Sequence, residues 1–220
     1  MSITQDTAVP NTHEMVVIHR MFRREFGLLP GLVRGVRPGD LARAGVVADH
    51  AEDMLTRLHT HHTGEDHSLW PRLLQRARPD AALIERMQEQ HELVATAIGR
   101  GTALLPSWRD TADAATGREL AEILQELVTR LVAHLDEEEA NVLPMVRRYI
   151  TVEEWDELGR HGMANVPKRG RLHQLGAILE AADETERELF LEKLPGFVRV
   201  IWNVVGRRRY QRYVEHVRGS

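Results

Sequence analysis

Apolar side chains recur along this chain three and four positions apart, the spacing that gathers them on one face of an α-helix. No stretch alternates regularly enough to read as a strand. Met15, Ile18, Phe22 and Phe26 share such a face with His19 and predict a first helix from Thr12 to about Val36, with Pro30 kinking it or thinning its last turns. Arg37-Pro38-Gly39-Asp40 reads as a turn with Asp40 as helix cap. A second helix follows through Val46, Met54, Leu58 and His61–Glu65, kinked or ended by Pro71. Pro79 opens a third, carrying Ile84, Met87, His91 and Val94. The segment from Pro106 to Gly117 reads as a polar connector, and a fourth helix covers Arg118 to about Arg148 with Leu120, Leu124, Leu127, Leu131, His134 and Glu138 at helical spacing.

The pattern breaks near Tyr149. Thr151-Val152-Glu153-Glu154 has the capping-box form that opens a new helix, and Asn165-Val166-Pro167-Lys168-Arg169-Gly170 breaks it again. Further helices are predicted over about 170–181, 184–193 and 195–217. The expected organisation is therefore all-α: an up-down four-helix bundle over 12–148 and a helical extension over 150–220. Trp155, Leu158, Leu175, Ile178, Phe197 and Trp202 of the extension are expected to cover apolar bundle surface.

Chemistry enters through a repeat. His61-His62-Thr63-Gly64-Glu65 and His134-Leu135-Asp136-Glu137-Glu138 are both His-x-x-x-Glu, each with a proline six residues after the glutamate, Pro71 and Pro144. A further histidine stands upstream of each, His19 by 42 positions before His61 and His91 by 43 before His134. Residues four apart share a helix face, so each pair offers an imidazole and a carboxylate to the same side. Glu65 and Glu138 fall among apolar positions, where a carboxylate is costly to bury unless a cation compensates it. Two such pairs and two single histidines on four helices describe a pseudo-symmetric site for two metal ions in a bundle core.

Composition narrows the choice of metal and of function. The chain has 220 residues, 42% of them hydrophobic, and a formal charge of −4, enough for one sizeable core with an appended piece. It has no cysteine, which removes disulfides, thiolate sites and iron–sulfur clusters and leaves nitrogen and oxygen ligands. Glycine-rich phosphate loops and Gly-x-Ser-x-Gly elbows are missing too. No apolar run is long enough to span a membrane and the N-terminal stretch lacks a secretory pattern, so a cytoplasmic location is expected. Residues 196–220 hold six arginines against Glu215, which reads as the solvated face of a last helix, with no nucleic-acid role expected.

The arrangement of His19, His61/Glu65, His91 and His134/Glu138 resembles the hemerythrin-like, histidine–histidine–glutamate cation-binding family over about residues 12–148, and the extension resembles that of actinobacterial members. The resemblance implies a non-haem centre of two iron ions in an up-down bundle. Glu65 and Glu138 would bridge the irons, His19 and His61 would bind one, His91 and His134 the other, and an oxo or hydroxo group would complete the bridge. Oxygen-carrying members have His-x-x-x-His on the third helix, where this chain has His91 followed by Ala95, and His-x4-Asp on the fourth, where it has His134-x3-Glu138. His62 either replaces the missing ligand or supports the shell behind it, being about 100° around the helix from His61. His59, Asp66 and His67 are expected on the outer faces of the second helix. The isolated His161 and His173 are read as polar surface or interior residues. The expected function is reaction with a small oxidant, hydrogen peroxide, dioxygen or nitric oxide, with peroxide decomposition preferred. The alternative is an oxygen, nitric-oxide or iron binding or sensing module without turnover. A ferritin-like iron-oxidising site is disfavoured because both pairs read His before Glu.

Overall fold

The computed structural model describes residues 8–164 and 170–219, and among them every regular element is helical. Of the break expected over 165–170, residues 165–169 lie outside the described residues, as do the side chain of His161 and the first seven residues. Four long helices form the bundle: α1 (His13–Arg34), α2 (Leu41–Ser68), α4 (Ala81–Thr111) and α5 (Ala114–Glu137), with the short α3 (Trp70–Arg76) between the second and third. Contacts run α1 to α2, α2 to α4, α4 to α5 and α5 back to α1, closing a ring of four. The core between them is built from Phe22, Phe26, Leu29, Leu55, Leu58, Leu124, Leu127 and Leu131, side chains at the periodic positions.

Local chemistry explains most of the boundaries. The Asp40 side chain accepts from the Arg43 amide at 3.1 Å and caps α2 as its sequence suggests. Pro30 is buried inside α1, which continues for a further turn to Arg34. Pro71 stands in the first turn of α3, after α2 has ended at Ser68. The segment expected as a connector from Pro106 is instead the last part of α4. Leu105 and Trp108 are buried in the main core, and that burial outweighs the polar composition around them. Ala112, at φ 45°, and the Asp113 cap make the short turn into α5. Gly117 is a packing residue: a Cβ there would stand 2.8 Å from the Trp108 indole nitrogen.

The fourth predicted helix is also not continuous. A π-helical turn over Glu138–Val142 separates α5 from α6 (Leu143–Tyr149), whose first turn holds Pro144. Proline has no N–H to give to the carbonyl four residues back, and one wide turn accommodates that loss.

Beyond Tyr149 come α7 (Val152–Ala164), α8 (Arg171–Ala181), α9 (Glu184–Glu192) and α10 (Gly196–Ile201), then a π-helical turn over Trp202–Gly206 and α11 (Arg207–Arg218). The Thr151–Glu154 capping box forms in both directions, at 3.0 and 3.2 Å. α7 packs on α2, α8 on α1, and α11 on α8 and α2. Leu179, Trp202 and Tyr210 make a small core of their own with Leu175 and Phe190. Phe197 departs from expectation: it is exposed rather than covering the bundle.

A buried polar cluster ties this extension to the bundle. Glu25 of α1, only 4% exposed, receives Arg24 at 2.6 Å and Arg218 at 3.2 Å, and lies 3.3 Å from His50 Nε2. The other ring nitrogen of His50 meets the Tyr213 hydroxyl at 2.8 Å. Burial opposes ionisation of Glu25, yet the hydrogen bonds and charges of His50 and Arg24 bring it from 4.5 down to about 2. A depressed folded-state value means stability that is present above pH 4.5 and lost as pH falls toward 2. The shift corresponds to about 3 kcal/mol. Glu25→Gln should therefore lower the melting temperature at pH 7, and the difference from wild type should shrink between pH 4.5 and 2. Calorimetry across that range checks it, and a pH-independent difference would contradict the ionic role.

Candidate metal centre

Each bundle helix sends ligand-type side chains to one level of the core. His19 comes from α1, His61, His62 and Glu65 from α2, His91 from α4, His134 from α5, and Glu138 from the first position of the π-helical turn. His19, Glu65, His134 and Glu138 are fully buried, His62 and His91 nearly so, and the His61 side chain is 13% exposed.

Two overlapping groups emerge. Ligand atoms of His62, Glu65, His91 and His134 all lie within 4.8 Å of one another, and so do those of His19, His61 and Glu65. Glu65 belongs to both: one of its oxygens is 3.3 Å from His61 Nε2 and the other 3.6 Å from His91 Nε2. Glu138 spans the same two groups, with Oε2 3.5 Å from His19 Nε2 and 3.6 Å from His134 Nε2. Each glutamate thus reaches the histidine of its own motif and the single histidine of the other half. The carboxylates exchange partners across the pseudo-symmetry that the sequence repeat announces.

The donor set fits cations by what it leaves unpaired. His19 Nε2, His61 Nε2, His62 Nε2 and both oxygens of Glu65 and of Glu138 are buried without a hydrogen-bond partner. His91 Nε2 and His134 Nε2 face each other at 3.1 Å. A buried polar atom without a partner is costly, and so many converging on one place have a common explanation in bound metal. Burial, then the other histidines, holds His61 and His62 well below the usual imidazole range, and the same causes bring His134 down to about 2. Burial, then Glu138 and Asp66, raises Glu65, and burial raises Glu138. Neutral imidazoles keep lone pairs for a metal, and a cation is the charge that would return both carboxyls to their ionised, ligating form. Imidazole and carboxylate together suit iron, with zinc or manganese also compatible.

An outer layer orients these rings. His19 Nδ1 donates to Glu139 at 3.0 Å, His91 Nδ1 to Asp66 at 2.7 Å and His134 Nδ1 to the Gln90 side-chain oxygen at 3.0 Å. An acceptor at Nδ1 fixes the proton there and aims Nε2 inward. Arg23 holds Glu139 at 2.6 Å, and Glu137 receives Gln90 at 2.7 Å. Asp66 is exposed on the outer face where the sequence reading put it, and its carboxylate also reaches back to His91 at 2.7 Å, a contact that reading did not include. A signal existed, because each of these glutamates is followed directly by a second acid, Glu65-Asp66 and Glu138-Glu139, and each second acid holds the single histidine of the opposite half.

His62 turns inward despite standing beside His61. Its ring stacks on His91 at 4.0 Å with only 7° between the planes. His59 and His67 are exposed, as expected. His50 belongs to the Glu25 cluster, and His173 stacks on Tyr213 at 4.3 Å, so neither joins the centre. Met87 packs in a second apolar cluster with Trp70 and Ile84, in a purely packing role. A groove of about 190 Å³ opens from solvent onto His62 and His91 between α2 and α4, lined also by Asp66, Gln88, Glu92 and Ala95.

A search of curated proteins and a search of solved structures each return no match. A family model does match: the Hemerythrin HHE cation binding domain aligns with residues 11–146, the span that supplies every residue of the centre just described. The chain belongs to the hemerythrin HHE cation-binding family.

Proposed function

We propose that the bundle holds two iron ions and that this pair meets a small oxidant, hydrogen peroxide first among them. The convergence of unpartnered, fully buried donor atoms from Glu65, Glu138 and three histidines carries the reading. In this assignment His19 and His61 serve one ion, His62, His91 and His134 the other, and Glu65 and Glu138 span both. The grouping of His62 with Glu65, His91 and His134 favours it as a ligand over a supporting role. Bound iron would supply one- and two-electron redox chemistry and polarisation of an oxygen–oxygen bond.

The protein's part is to hold and to admit. Asp66, Glu139 and Gln90 keep protons on the outward ring nitrogens, so the inward ones stay available. Phe22 beside His61, at 5.2 Å between rings, makes one wall apolar and limits water there. Ala95 stands one turn after His91, where oxygen-carrying members of the resemblance have a second histidine, and its small side chain leaves the groove beside His62 open. The groove suits a molecule of two to four atoms. Decomposition of two peroxides to dioxygen and two waters is the preferred activity, and nitric oxide is the nearest rival ligand. The cytoplasmic placement rests on the sequence alone.

Three outcomes are expected. Elemental analysis should find two irons per chain; His61→Ala or Glu65→Ala should lose at least one and lower the melting temperature, while His59→Ala keeps both. Full retention of both irons in His61→Ala would refute the ligand assignment. Asp66→Asn and Glu139→Gln should each weaken metal affinity by about 10–100-fold, as substitution of such partners typically does, measured by competition with a chelator. The iron-loaded oxidised protein should evolve oxygen from hydrogen peroxide, with a steep loss in Glu138→Ala and none in His173→Ala. A stable oxygenated form that releases its ligand under vacuum would instead establish a carrier.

A further inference from the structure

The groove onto His62 and His91 has a floor and a rim of different character. His62, His91 and Ile98 on its floor are buried, and His62 Nε2 has no hydrogen-bond partner. Around the rim His59 and Asp66 of α2 and Glu92 and Ala95 of α4 are exposed, with Thr63 and Gln88 half-buried between them. No lysine or arginine lines the groove. Asp66 meets His91 Nδ1 at 2.7 Å, and Glu92 has no ion-pair partner among the described residues. The cations nearby are turned elsewhere. On α4, Arg86 is held by Glu137 and Arg100 by Glu126, both toward α5. On α2, Arg57 binds Asp53 and Gln174, and Arg72 of α3 goes to Glu157. Earlier on α4 the exposed charges Glu85 and Glu89 are acidic too, and only the exposed imidazoles of His59 and His67 can oppose them from α2.

A groove of about 190 Å³ has room for a small ion, so size alone does not exclude one. Charge does. A cleft lined with one sign of charge gathers ions of the other and depletes its own. One carboxylate about 5 Å from the path of a monovalent anion lowers its arrival about fourfold in water, and by more where protein walls shield the field. We infer that the groove is a charge filter: Asp66 and Glu92 turn anions away and leave the centre to uncharged molecules. The inference rests on the two-iron reading above and narrows its substrate class. Hydrogen peroxide, dioxygen and nitric oxide pass; superoxide, nitrite and other anions of similar size are held back. Asp66 then has two parts, since it also orients the His91 ring, whereas Glu92 touches none of the metal-binding side chains and acts through its charge alone.

Azide, a small anion, is the probe. Its association with the oxidised, iron-loaded protein is followed by charge-transfer absorption in stopped flow, at about pH 8, where a solvent-exposed imidazole is uncharged. Two ionic strengths are compared, about 10 mM and about 1 M, where charges are felt over about 30 and 3 Å. The wild-type rate should rise at least about fivefold with salt. At low salt Glu92→Gln should be about fourfold faster than wild type and Glu92→Lys at least about tenfold faster, and the three should converge at high salt. Glu188→Lys, the same change in net charge on the exposed face of α9, should keep the wild-type rate. Equal rates for wild type and both Glu92 variants at low salt overturn the proposal. So does a difference that persists at high salt, which marks a change of shape, or an equal effect of Glu188→Lys, which marks net charge. Absence of an azide band from wild type and every variant would count against the two-iron reading itself, and the filter would fall with it.

Discussion

Two carboxylates buried in the middle of a helical bundle are the constraint on which the rest of this molecule depends. Glu65 and Glu138 are wholly shielded from solvent, and neither has a hydrogen-bond donor within the protein. An uncompensated charge in such a place costs several kcal/mol, and a protonated carboxyl without partners still loses what water gave it. Cations between the helices resolve the difficulty, and the energy of binding them becomes energy of folding. The core above and below this level is conventional, with leucines, phenylalanines and alanines at helical spacing. It supplies the rigidity that keeps four helices at the separation the donors need.

The halves of the bundle are not two sites side by side. Glu65 and Glu138 each face a histidine of their own motif and the single histidine of the other half, and the acid that follows each in sequence holds that same distant histidine from behind. A half-bundle alone would therefore have neither a complete ligand group nor an oriented ring. The π-helical turn belongs to this arrangement, since it begins at Glu138. Pro144 cannot donate to the carbonyl four residues back, and the wide turn that accommodates this falls at Glu138.

Much of this was legible in the sequence because two simple periods coincide. Helical spacing of apolar residues locates the long helices, and the His-x-x-x-Glu repeat marks which face turns inward. What was hidden has identifiable causes. The connector expected from Pro106 is helical because Trp108 has a buried slot to fill, shaped by Gly117 on a helix that follows it in the chain. The contact of Asp66 with His91 was missed because a face assigned from the backbone position ignores how far a carboxylate reaches toward a neighbouring helix. Phe197 was assigned to the interior because α10 and the turn after it are apolar on both sides, and periodicity cannot say which of two apolar faces meets the bundle.

The extension is held in a different manner from the bundle. Its own core is small, and beside the apolar contact of Val17 with Ile178 and Ala182 its attachment to α1 and α2 includes several polar contacts: Glu25 with Arg218, His50 with Tyr213, Arg43 to the last carbonyls of α11 at 2.7 and 2.5 Å. Buried ionic contacts of this kind tolerate few alternative dockings, because any slip leaves a charge without its partner. Such an attachment fixes orientation as well as adding stability. The consequence is that the C-terminal helices are presented in one defined pose, with Tyr210 packed on Leu179 and Trp202 and with Phe197, Val200 and Val204 exposed.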